Sequence, residues 1–186
     1  WKDQAIVIRM NAMARAIEVA LATAAVPYRI VSGESFFKMS EASILLGYLR
    51  VVLGRATIDD VESSVSNPSR MVGKAYFEQL RSVREIKPDA DWRDLALLPQ
   101  LNRKQAENME SWQALIDQLR ADVESKTPHQ LLTALVKAID LAAWLKSDND
   151  GDNAPADNIA QVMSFAANYS TTKDLLDAVD AILSHK

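Results

Sequence analysis

Residues Ala5–Phe37, AIVIRMNAMARAIEVALATAAVPYRIVSGESFF, carry the reading on which the fold turns. Ile6-Val7-Ile8 is a short apolar run of the kind a buried parallel strand uses. Asn11 can offer its side-chain oxygen to a first-turn amide and is the expected N-cap of a helix. Met13, Ile17, Ala20, Leu21 and Ala24 then recur at helical spacing. Val26-Pro27 closes that helix, and Tyr28-Arg29-Ile30-Val31 starts a second strand. The pattern predicts one βαβ unit. Arg9 and Asn11 lie just past the carboxyl end of its first strand, where open parallel sheets place ligand contacts.

Outward from this stretch the chain reads as helix after helix. Ser40 is the expected cap of a helix carrying Ile44, Leu45, Tyr48, Leu49 and Val52, with Gly54 as its stop. Thr57 with Asp60 forms a capping pair before Val61. Asn67-Pro68-Ser69 is a turn signal, followed by a helix with Tyr76, Phe77, Leu80 and Val83. Pro88 breaks it, and Asp91 is the expected cap of a short turn through Leu95 and Leu98. From Arg103 to about Ser125, Met109, Trp112, Leu115, Ile116, Leu119 and Val123 form an amphipathic stripe. Thr127-Pro128 starts the next helix, with Leu131, Leu132, Leu135, Ile139 and Ala142 on its core face. After the polar run Ser147–Asn153, Pro155 opens a helix with Ile159, Val162 and Met163. Thr171 or Thr172 opens the last, with Leu175, Leu176, Val179, Ile182 and Leu183. The fold class expected is mainly α: a small βαβ edge, residues 1–35, before an all-helical domain, residues 36–186.

Composition narrows the function classes. The 186 residues contain no cysteine, so a disulfide framework and a thiolate metal site are both excluded. No apolar run reaches the roughly 18–20 residues that span a bilayer. A cytoplasmic location and no membrane partner are the expectation. The chain begins at Trp1, which reads as a piece of a longer protein. The net charge is −4, split between a basic first part (+3 over residues 1–87) and an acidic second (−7 over residues 88–186). Such a split lets one face meet phosphate while another meets solvent or protein.

The sequence carries none of the familiar catalytic motifs. The only Gly-Lys pair, Gly73-Lys74, has Pro68 where a P-loop's first glycine would stand, so it is no nucleotide cradle. Asp148, Asp150 and Asp152 resemble the start of a calcium loop, but Asn153 and Ile159 occupy the positions of its glycine and closing glutamate. His129 and His185 lie far apart with no cysteine partner, which disfavours zinc. No catalytic residue, metal ligand or cofactor site is expected in this stretch. Trp112, Trp144 and the Phe36-Phe37 pair read as packing residues.

Ile8-Arg9-Met10-Asn11-Ala12-Met13-Ala14-Arg15, Pro27-Tyr28-Arg29-Ile30, Gly33 and Phe36-Phe37 resemble the superfamily 1A DNA helicases, the UvrD, Rep and PcrA family. That family runs L-Y-R-x-N-A-Q-S-R, then I-P-Y-R-I-x-G-G-x-x-F-F. Glu41 and Tyr48-Leu49-Arg50 also match its pattern. Asn67–Lys74 is similar to its N-x-P-x-R-G-I-G, with Met71 in place of the first glycine. Asp157-Asn158-Ile159 agrees loosely with its E-N-L.

The resemblance implies the edge of a RecA-like motor domain, 2A, followed by the helical 2B insertion, rotating about a junction near residues 32–40. It implies that Arg9 and Asn11 contact single-stranded DNA. It also implies that Arg70, Gly73 and Lys74 meet duplex phosphate, where turn amides and cations suit an anion. For the parent enzyme it implies ATP and Mg as cofactors. DNA, single-stranded and forked, the remaining motor domains and further proteins would be its partners. Two alternatives stand beside it: a stand-alone helical protein-interaction module, and the helicase portion of a RecB- or AddA-type helicase-nuclease. Ile6–Ile8, cut from its sheet, is expected to be disordered, rearranged or paired with another chain.

Overall fold

The computed structural model describes residues 4–9, 11–31, 35–86, 101–141 and 154–184. Its helices are α1 (Asn11–Thr23), α2 (Ser40–Val52), α3 (Ile58–Ser66), α4 (Lys74–Ile86), α5 (Arg103–Asp122), α6 (Pro128–Ala138), α7 (Ala154–Ala166) and α8 (Thr172–Ser184). A 3-10 turn, Phe36–Lys38, precedes α2. The architecture is mainly α. Among the described residues there is no β-strand, so the two expected strands of the βαβ unit are not formed here. Ile6–Ile8 and Tyr28–Ile30 carry no regular structure, and Ile6 and Val7 are exposed. A parallel strand needs neighbours on which to close its backbone hydrogen bonds, and none of the described residues supplies one.

The helix punctuation is largely local chemistry. Thr57 and Asp60 close a reciprocal capping box at the start of α3, Asn102 and Gln105 do so for α5, and Thr127 and Gln130 for α6, which has Pro128 in its first turn. Thr171 accepts from the Asp174 amide before α8. Gly54, at φ +69°, ends α2: its amide donates to the Val51 carbonyl at 3.1 Å and the Arg55 amide to Arg50 at 2.9 Å. Ser40, expected as a cap, is instead the first helical residue. Met39 stands at the cap position, where its amide closes the preceding 3-10 turn on Phe36, and its thioether makes no cap bond to the first-turn amides. Asn11 likewise starts α1 as a helical residue, and its side chain lies outside the described part. The expected turn at Asp91–Leu98, Trp144 and the Asp148–Asp152 run lie outside it too.

Around α2 lies a single core cluster. Leu45, Leu46, Tyr48, Leu49 and Val52 pack with Trp112 and Ile116 of α5, Leu131 and Leu135 of α6, Phe165 of α7 and Leu175 and Val179 of α8. On α5, α6 and α8 these are the faces that the helical periodicity picks out, whereas Leu46 and Phe165 lie beyond the expected ones and α2 is buried nearly all round. Aromatic rings run through it: Phe36 to Phe37 at 5.3 Å, Phe37 to Phe165 at 5.0 Å, Phe165 to Tyr169 at 5.1 Å. The α1 face differs from the expected one. Met13, Ala20 and Ala24 are exposed, whereas Glu18 is buried and Val19 and Ala22 pack on the helical core. The side of α1 opposite its apolar stripe has taken the bundle.

Candidate nucleic-acid interface

The Asn67–Lys74 turn is held from three directions. From below, the Tyr48 hydroxyl of α2 donates to the Asn67 carbonyl at 3.0 Å, and the Asn67 side-chain amide donates to Ser63 at 2.8 Å. Burial lifts the Tyr48 phenol above its ordinary pKa, with the Arg70 guanidinium acting against that rise. From within, Arg70 Nη1 donates to the carbonyls of Ser64 (2.8 Å), Pro68 (3.0 Å) and Val65 (3.2 Å). From the side, α5 contributes Gln105 Nε2 to the Met71 carbonyl at 2.8 Å and Asn108 Nδ2 to the Arg70 carbonyl at 3.0 Å.

What this frame presents is small and cationic. Val72 is buried and anchors the turn, while Met71, Gly73 and Lys74 face solvent. A Cβ added at Gly73 would meet no atom within 4 Å, so an incoming group can approach the backbone there. Lys74 opens α4 with its side chain 79% exposed, its ammonium 3.8 Å from Glu78. Met71 has φ +62°, in the left-handed region that glycine occupies without strain.

The residues singled out from sequence therefore fall into two groups on different elements. Arg70, Gly73 and Lys74 share the α3–α4 turn. Arg9 is exposed ahead of α1 and Asn11 begins that helix, which packs on the 3-10 turn and α7. Sequence reasoning missed Gln105 and Asn108. They stand more than thirty residues beyond the turn that they brace, and nothing in local spacing points to them. It also left Glu41 and Asn158 as separate matches. The Asn158 amide donates to the Glu41 carboxylate at 2.9 Å, joining α2 to α7.

A helical module that frames one exposed Gly-Lys turn is a class that many proteins could share; comparison narrows it. Residues 1–143 match the family described as UvrD-like helicase C-terminal domain. The chain is 25% identical to ATP-dependent DNA helicase UvrD1 of Mycobacterium leprae, over 92% of its own length and 23% of the relative's. It is 26% identical to DNA helicase II of Escherichia coli K12, over 100% of its length and 28% of the relative's. Over 43% of its length it is 39% identical to ATP-dependent DNA helicase Rep of Buchnera aphidicola, covering 12% of that protein. This chain belongs to the UvrD-like helicase C-terminal domain family. It spans about a quarter of the length of the first two relatives.

Proposed function

We propose that this chain is the part of a UvrD-like, ATP-dependent DNA helicase that touches both the separated strand and the duplex ahead of it. Residues 1–35 are the edge of the RecA-like domain 2A, and residues 36–186 the helical 2B insertion. The exposed apolar side chains of Ile6, Val7, Met13 and Val31, all in the first stretch, support that assignment. They are what a strip of sheet and covering helix leaves open when its neighbours are elsewhere. Ile6–Ile8 and Tyr28–Val31 form strands once those neighbours are present.

The observation that carries the duplex assignment is the Asn67–Lys74 turn, with Gly73 open to backbone approach and Lys74 exposed beside it. Lys74 and the Gly73 backbone contact a phosphate, and Arg70 holds the loop in shape beneath them and adds positive charge. Arg9 and Asn11 contact single-stranded DNA in the motor domain. ATP and Mg serve the parent enzyme's motor, for which this sequence has no P-loop. Fluorescence anisotropy with forked, duplex and single-stranded DNA at stepped salt tests the reading. Fork binding should weaken with salt, and Lys74→Ala should lower the slope by about one. Fork binding that is absent at low salt, or unaltered by Lys74→Ala, would sink the duplex assignment.

A further inference from the structure

Glu18 is the one charged side chain in the buried set of the described residues, at 4% exposure. A buried carboxylate costs free energy unless donors surround it. Here all its donors come from beyond its own helix. The Tyr28 and Ser35 hydroxyls donate to Oε1, the former at 2.8 Å, and the Phe36 amide donates to Oε2 at 2.6 Å. Burial, and then the bond and charge of Glu18, push the Tyr28 phenol well above its usual range. Ser35 passes the link on, because its oxygen also accepts from the Phe37 amide at 3.3 Å. Phe36 and Phe37 are buried, and the Phe37 ring packs at a tilt against Phe165 of α7. One carboxylate thus ties the middle of α1 to the first turn of the helical bundle.

We propose that Glu18 is a positioning residue that fixes the orientation of α1 on the helical bundle, and so the Arg9–Asn11 entrance relative to the Asn67–Lys74 turn. The other contact of α1 with the core, through Val19 and Ala22, is apolar and non-directional, so it permits sliding. Bonds to two carboxylate oxygens fix both angle and register. Of this group only Phe36 belongs to the bundle's core, and it does so through its ring and not through the amide that Glu18 holds. The consequence for DNA rests on the function proposed above; the orientation itself does not.

The chain has no cysteine, so cysteines introduced at the exposed positions Thr23 and Glu78 can carry spin labels in the full chain, without DNA. The unaltered background should give one narrow distance distribution. Glu18→Gln and Glu18→Ala should lose that single peak, and the Phe36 amide should exchange with deuterium at least about tenfold faster. Helix content and the denaturation midpoint of the bundle should hold. Tyr28→Phe with Ser35→Ala, which keeps the carboxylate and removes two donors, should broaden the distribution partway and serves if Glu18→Ala does not fold. An unchanged distribution in Glu18→Gln and in the double variant, with Phe36 exchange accelerated, would overturn the proposal. In anisotropy, Glu18→Gln should lose preference for a fork over its separate arms while binding each arm as before. A chain that binds no DNA at all would count against the helicase reading and leave the distance result to decide on Glu18.

Discussion

Arg70 and Lys74 belong to one turn and differ in what they hold. Nη1 of Arg70 serves three carbonyls, whereas Lys74 points into solvent. Arg70→Ala should therefore cost about 1.5–3 kcal/mol in chemical denaturation, the range for bonds made by a charged donor. Lys74→Ala should change stability by less than about 0.5 kcal/mol. Met71 provides a second contrast. Its φ of +62° strains a side-chain-bearing residue by about 1–2 kcal/mol. Met71→Gly relieves that strain, gives back part through a looser unfolded chain, and removes little buried surface. A net gain of about 0.5–1 kcal/mol is expected, read as a higher urea midpoint. Other matched residues were legible as residues and illegible as partners. Glu41 meets Asn158, Tyr48 meets Asn67, and Arg50 pairs with Asp60 at 3.4 Å and Asp180 at 2.7 Å. Each pairing depends on which helices lie side by side.

The helix ends at Thr57, Thr127 and Thr171 were legible, because a cap is decided within a few residues of sequence, whereas Asn11 and Ser40 were expected as caps and are helical residues. Gly54 and Gly73 separate the two meanings of a glycine. Gly54 ends α2 at φ +69°, whereas Gly73 carries no left-handed angle and has open space where a Cβ would go. Gly54→Ala should lower stability by about 1 kcal/mol, and Gly73→Ala by less than about 0.5 kcal/mol; parallel thermal melts would show whether the two separate. Helix α1 was legible as a helix but not as a packed element. Its apolar stripe predicts one buried face, and the bundle covers another through Glu18, Val19 and Ala22. Periodicity shows the apolar face of a helix and not the face that a buried carboxylate holds, since the hydrophobic pattern weights apolar area. Ile6–Ile8 and Tyr28–Val31 have strand-like composition, but pairing is a property of at least two segments.

Over the described residues, one core centred on α2 gathers side chains from all the helices α1 to α8, and ion pairs close its outer side. The α8 residues Leu175, Leu176 and Val179 are buried, while Asp177 takes Arg55 at 2.6 Å and Lys173 at 2.7 Å. The Lys173 ammonium first, and then the Arg55 guanidinium, hold the Asp177 carboxyl below its ordinary 3.8. A depressed folded value means that this contribution is complete above the unfolded value and is lost as pH falls through the folded one. Thermal stability should thus decline in acid, and Asp177→Asn should flatten the part of that decline below about pH 4. Equal acid dependence in both proteins would show that the pair is fully screened. The sequence by itself determined the mainly helical class, the caps at Thr57, Thr127 and Thr171 and the stop at Gly54, most core faces from α2 to α8, and the turn that bears Arg70, Gly73 and Lys74. Those follow from interactions within a few residues or from a single periodicity. Only the tertiary structure decided that Gln105 and Asn108 brace that turn, that Arg70 faces carbonyls, and that Glu18 is buried. The Gln105, Asn108 and Glu18 bonds join segments that meet only when the core closes, and Arg70 finds its carbonyls through the path of the turn, which no residue spacing announces.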